Sequence, residues 1–145
     1  ATPVNALLLA QQRGLQIVEQ VHPEAKDYAS LLEMEATTAS GSHQVAGTVY
    51  GRGDLRFVRI DDLPVDVNPH GYLMVMRNED RPGVVGHTGT VLSAGGINIA
   101  GLDIARNRPG GEAVSLWSVD APVPQDVLAK VKTHVSVLSV KMVKI

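Results

Sequence analysis

Tyr72-Leu73-Met74-Val75-Met76-Arg77-Asn78-Glu79-Asp80-Arg81-Pro82-Gly83 is the stretch whose reading decides the fold. An apolar run of strand-forming residues breaks at a polar hexapeptide, Asn78 to Gly83. A helix-like run from Gly83 to Ala94 follows and is closed by Gly95-Gly96. Strand, Pro-Gly break and helix start therefore fall within a few residues of one another. At such a junction the free N–H groups and dipole of the helix N-terminus favour a carboxylate. Asp80 can hold an ammonium, and Gly83 lets a ligand approach the backbone.

The pattern continues downstream. Ile97 to Arg106 predicts a strand with a bulge near Gly101, and Glu112 to Val119 a strand holding Trp117. Gln125 to His134 predicts a helix, and Val135 to Ile145 a last strand. From residue 71 the predicted order is βαββαβ, a ferredoxin-like arrangement. Upstream, Asn68-Pro69-His70-Gly71 reads as a seam, dividing the chain into units 1–70 and 71–145.

The first unit reads as β-rich. Thr2-Pro3 suits a helix start, with Val4 to Arg13 helical and Gly14 the stop. Leu15 to Val21 alternates as a strand does, and His22-Pro23-Glu24 breaks it. Tyr28 to Thr38 carries both strand and helix signals. It is read as a strand because Ser40-Gly41-Ser42 and the strand-like run His43 to Tyr50 complete a hairpin. Leu55 to Ile60 extends the meander, Asp61-Asp62 turns it, and Leu63-Pro64-Val65 is an edge piece because proline cannot serve a sheet centre. The fold class is thus α+β.

Composition narrows the function. In 145 residues, 44% are hydrophobic and only 3% aromatic, so aliphatic side chains must fill the core. Thirteen basic residues against fifteen acidic ones, with few rings to stack on bases, argue against nucleic acid. No apolar run is long enough to span a membrane, and the expected location is the cytoplasm. With no Cys and five dispersed His, no metal site is expected. Gly83, Gly86 and Gly89 lack dinucleotide-fingerprint spacing, and Arg52-Gly53-Asp54 reads as a turn. No catalytic triad or close carboxylate pair stands out.

The hexapeptide together with Gly96-Ile97-Asn98-Ile99 resembles the ACT domain, a small-molecule sensor that often binds amino acids. Val4-Asn5-Ala6, Arg13-Gly14, Val45 to Gly51 and Arg59-Ile60-Asp61 resemble the region before the ACT domain in long bacterial D-3-phosphoglycerate dehydrogenases. The resemblance implies the later part of an allosteric substrate-binding domain over 1–70 and an ACT domain over 71–145. It also implies effector contacts at Asn78, Asp80, Gly83, Val84, Val85 and Asn98, at an interface between copies. L-serine or another small amino acid is the implied effector and a homo-oligomer the implied assembly. The plain alternative is that Asp80 caps the helix and Asn98 stabilises a turn.

A basic anion site is further implied at Arg56, with Arg59 close in sequence; Asn68 stands where some members carry Arg. NAD would serve the parent enzyme, since the catalytic and nucleotide-binding domains lie outside this sequence. The readings left beside that one are a stand-alone ACT sensor, a structural oligomerisation module, and a regulatory piece of an iron–sulfur serine dehydratase.

Overall fold

The structure, a computed structural model, describes residues 2, 4–21, 28–39 and 41–145. The predicted Pro3 helix start, the His22-Pro23-Glu24 break and the Ser40 turn position lie outside the described residues. The described residues form three helices and eight strands: α1 (Ala6–Gln12), β1 (Leu32–Thr38), β2 (Gly41–Tyr50), β3 (Asp54–Ile60), β4 (Leu63–Val67), β5 (Tyr72–Glu79), α2 (Val84–Ala94), β6 (Ile99–Arg106), β7 (Glu112–Val119), α3 (Gln125–Val131) and β8 (Val137–Lys144). The strands make two four-stranded sheets, β1-β2-β3-β4 and β6-β7-β5-β8, and every pairing is antiparallel.

The second sheet explains the apolar run that begins at Tyr72. β5 lies between β7 and β8, so both of its edges are paired, and both of its faces are covered as well. Met74 and Met76 face the helices and pack with Val84, Leu92, Trp117, Val127, Leu128, Val131 and Val140. Leu73 and Val75 face the other way, against Val65, Val67, Phe57 and Leu63 of the first sheet together with Ala105, Val114 and Leu116. Two-sided burial selects a continuous apolar run rather than alternation. β7 shows the same pattern, with Ala113 through Trp117 all buried. α2 and α3, the second sheet and part of the first sheet thus stack as three layers.

On α2, Val84, Thr88 and Leu92 recur every four residues and form its buried line. Its end meets α3 closely: a Cβ on Gly95 would lie 2.9 Å from a Val127 methyl, so only glycine allows this approach. The predicted bulge near Gly101 is present as a register shift between Ile99 and Gly101.

Three local expectations need correction. Leu15 to Val21 is not a strand: it is irregular, with Leu15, Ile17, Val18 and Val21 exposed, and no described strand offers it a ladder. The predicted strand at Tyr28 begins only at Leu32, after a bend. The predicted last helix stops at Val131, because a turn through His134 and Ser136 feeds directly into β8.

Candidate functional site

Asn78 stands near the end of β5, opposite Ala113 on β7 and Val137 on β8. It shares the helix-covered face with Met74 and Met76, as the two-residue strand period requires. The side chain is 5% exposed, and its Nδ2 donates to the Glu79 carbonyl at 2.8 Å. Its Oδ1 is buried without a hydrogen-bond partner, the one such side-chain atom among the described residues. An orphaned buried acceptor costs roughly 1–3 kcal/mol, so a native structure keeps one mainly where something else completes it.

Asp80 follows the strand. Its amide donates to the Gly111 carbonyl at 2.8 Å. Its carboxylate accepts from Arg106 Nη1 at 2.6 Å and from the Gly110 amide at 3.1 Å. The guanidinium, and after it the amide, hold this carboxyl below the usual aspartate range. Arg106 pairs with the same Ala113 that pairs with Asn78, so Asn78, Ala113 and Arg106 form one row across the sheet. The small Ala113 side chain leaves the middle of that row low.

Beside this row α2 begins. Gly83 adopts φ 98°, a left-handed conformation that favours glycine, and no side chain caps the helix. The first amides of the helix, Val84 and Val85 among them, therefore lack a side-chain acceptor. The Val84 side chain is buried in the core and Val85 is exposed. The Ser136 amide donates to His134 Nδ1 at 3.2 Å, which leaves the neutral ring its proton on Nε2. That Nε2 lies 3.6 Å from where a Cβ on Gly83 would stand. His87 Nε2 donates to the Lys130 carbonyl at 3.1 Å, and its ring lies 5.2 Å from that of His134.

Asn98 is elsewhere. β6 begins beside Val119, which also pairs with Tyr72, the first residue of β5. Six residues of extended chain, about 20 Å, separate that end of the sheet from Asn78. Asn98 Nδ2 donates to Asp120 at 2.7 Å, and the Asp120 amide donates back to the Asn98 carbonyl at 3.2 Å. Within one chain, then, Asn98 does not join Asn78 and Asp80. Part of the plain alternative also fails, because Asp80 bonds Arg106 rather than capping α2.

Arg56 and Arg59 lie on one face of the first sheet, paired across to Thr48 and Ala46. Each guanidinium already has carboxylate partners. Arg56 meets Asp54 at 3.0 Å and Asp66 at 3.4 Å, and Arg59 meets Glu33. The Asp54 hydrogen bond is the main reason that the Arg56 pKa is raised. A shallow cleft of about 260 Å³ is lined by Arg56, Asp66, Asn68, Asp103 and Ser118. A second of about 350 Å³ is lined by His43, Asp61 and Arg77. Neither cleft includes Asn78, Asp80 or Asn98.

The second cleft marks a polar tie between the sheets. Arg77 Nη1 donates to Asp61 at 2.6 Å, and the Gln44 amide donates to the same carboxylate at 2.9 Å. Partial burial opposes ionisation of Asp61, but the Gln44 amide, Arg77 and His43 together outweigh it and lower its pKa. Sequence reasoning did not find Arg106, Gly110, His134 or the Arg77–Asp61 tie. Only the strand register brings these residues to their partners.

No group of three or more potential metal ligands occurs among the described residues. No described helix is long and apolar enough to cross a membrane. The described strands pair antiparallel throughout, unlike the parallel βαβ units that hold a dinucleotide in doubly wound sheets.

Residues 2–61 match the family model of the D-3-phosphoglycerate dehydrogenase intervening domain. The D-3-phosphoglycerate dehydrogenase of Archaeoglobus fulgidus is 35% identical over 127 residues, covering 86% of this chain and 24% of that protein. The Synechocystis enzyme of the same name is 30% identical over 128 residues, covering 88% and 23%. That of Mycobacterium tuberculosis is 31% identical over 144 residues, covering 98% and 27%. The chain therefore spans about a quarter of the length of the relatives it matches, and over nearly its whole length it is similar to that part of D-3-phosphoglycerate dehydrogenases.

Proposed function

We propose that this chain is the C-terminal regulatory part of a cytoplasmic, NAD-dependent 3-phosphoglycerate dehydrogenase of serine biosynthesis. In this reading 1–70 is the later part of an allosteric substrate-binding domain. Residues 71–145 are an ACT domain with the ferredoxin-like βαββαβ order. L-serine, or another small amino acid, binds the ACT unit and feeds back on an active site elsewhere in the parent protein. Such feedback requires the ligand to prefer one arrangement of domains over another.

The observation that carries the reading is the buried, partnerless Oδ1 of Asn78 beside an ionised Asp80 and an uncapped helix start. These are an acceptor, an anion and a set of amide donors, the complement of a small zwitterion. The distant Asn98 fits if two copies pair along β6. That strand is an edge of its sheet, and it exposes Leu102 and Ile104. A free edge with apolar side chains favours addition of another strand. Antiparallel pairing about Leu102 and Asp103 sets Asn98 of the second copy beside the Arg106 end of the first. Each of two equivalent sites then takes Asn78, Asp80, Gly83, Val84 and Val85 from one copy and Asn98 from the other. The carboxylates on Arg56 and Arg59 argue for a weak anion site there, open only to an anion that displaces Glu33, Asp54 or Asp66.

Calorimetric titration with L-serine, followed by competition with other small amino acids, tests the reading. Saturable heat is expected from a chain that sediments as a dimer or larger. Asp80→Ala is expected to weaken binding by roughly tenfold or more, through loss of a charge-assisted bond to the ammonium. A monomer at all concentrations that gives no heat with any amino acid at millimolar levels overturns it.

A further inference from the structure

We infer that Arg106 is a built-in occupant of the ammonium position: in the empty site its guanidinium satisfies Asp80, and a bound amino acid must displace it. The inference rests on the reading above and concerns the regulation of that same site.

Asp80 is ready for a cation and already holds one, at 2.6 Å. Arg106 reaches it from the last position of β6, across Ala113 from Asn78, so the guanidinium lies along the row an amino acid would occupy. The Gly110 amide and the Asp80–Gly111 bond fasten the β6–β7 turn to the same carboxylate. Asp80 therefore stays positioned whether or not a ligand is present. The Arg106 side chain is half exposed, so it can swing into water without leaving a buried charge unpaired. A buried guanidinium would make that exchange prohibitive, whereas an exposed one makes it a modest tax on affinity. The arrangement also selects among ligands. A neutral or anionic molecule has no positive charge to offer Asp80 in exchange for Arg106, but an α-ammonium does.

Removing the internal competitor should tighten binding. Arg106→Gln is expected to bind L-serine about two- to fivefold more tightly than the unmodified chain, the factor that corresponds to an exposed ion pair. Arg106→Lys keeps the charge and is expected to stay near the unmodified affinity, a rescue that a purely structural role would not produce. Without ligand, the Asp80 carboxyl followed by carbon NMR is expected to titrate at higher pH in Arg106→Gln. Unchanged or weaker L-serine binding by Arg106→Gln, with the unmodified chain still binding, overturns the inference and leaves the proposed function standing. If no variant binds any amino acid, and neither does the unmodified chain, both fall together.

Discussion

The two sheets are built on opposite terms. The second closes on itself: two helices cover one face, and Met74, Met76, Leu92, Trp117 and Val131 are 0–1% exposed. The first leans on its neighbour. Only its β3–β4 side packs against the second sheet, while every residue of β1 is exposed, including Leu32 and Met34. α1 buries nothing. Ion pairs line one face of the first sheet, where Glu33, Asp54 and Asp66 neutralise Arg59 and Arg56 beside the buried Ala46 and Thr48. Neighbouring sheets in one short chain can thus differ in what holds them: apolar burial for one, attachment and charge pairing for the other.

This contrast breaks most easily in the second core. Leu92→Ala is expected to cost about 3 kcal/mol, the transfer and cavity cost of a fully buried leucine, and to lower the thermal midpoint measured by circular dichroism. A loss below about 1 kcal/mol would mean that the second sheet is no better packed than the first. The tie between the sheets comes next. Asp61→Asn is expected to cost roughly 1–2 kcal/mol, because it weakens a charge-assisted bond to Arg77. The loss should appear as faster amide exchange around Gln44 with little change near Leu92.

Acid should act on the same tie. The folded pKa of Asp61 lies below the unfolded one, and so does that of Asp80. Their stabilisation is complete above the ordinary aspartate value, about 4, and fades as pH falls through the folded values. Asp61→Asn should flatten that acid limb. At the smallest end, Met34→Ala in β1 is expected to change stability by less than about 0.5 kcal/mol, as an exposed substitution should. A larger loss would show that β1 is covered by something in solution.

The same contrast governs what could be read from sequence. The second unit was legible because burial on two faces forces uninterrupted runs such as Leu73 to Met76, and because Gly83 and Gly95 punctuate α2. The first misled where alternation had no partner: Leu15 to Val21 has strand spacing, but none of the described strands pairs with it. At the site, Asn78, Asp80 and Gly83 could be named from turn chemistry because they are sequence neighbours. Arg106 could not, since it meets Asp80 from 26 residues away through a register that no local pattern encodes. Asn98 was named too, but within one chain it stands at the far end of the sheet. α2 carries the chain back before β6 starts, so β6 runs parallel to β5 two places away, and their first residues share one end of the sheet.

Trp117 gives the molecule an optical asymmetry. It is the chain's single tryptophan, 1% exposed in the middle of β7, with its indole N–H satisfied by Ser115 Oγ at 3.0 Å. Its emission should be blue-shifted in the native state and move to the red only when the second sheet opens. The first sheet can detach or rearrange without changing that colour. Tryptophan fluorescence and whole-chain circular dichroism should therefore report different events, and any gap between their transitions measures how independently the two sheets come apart.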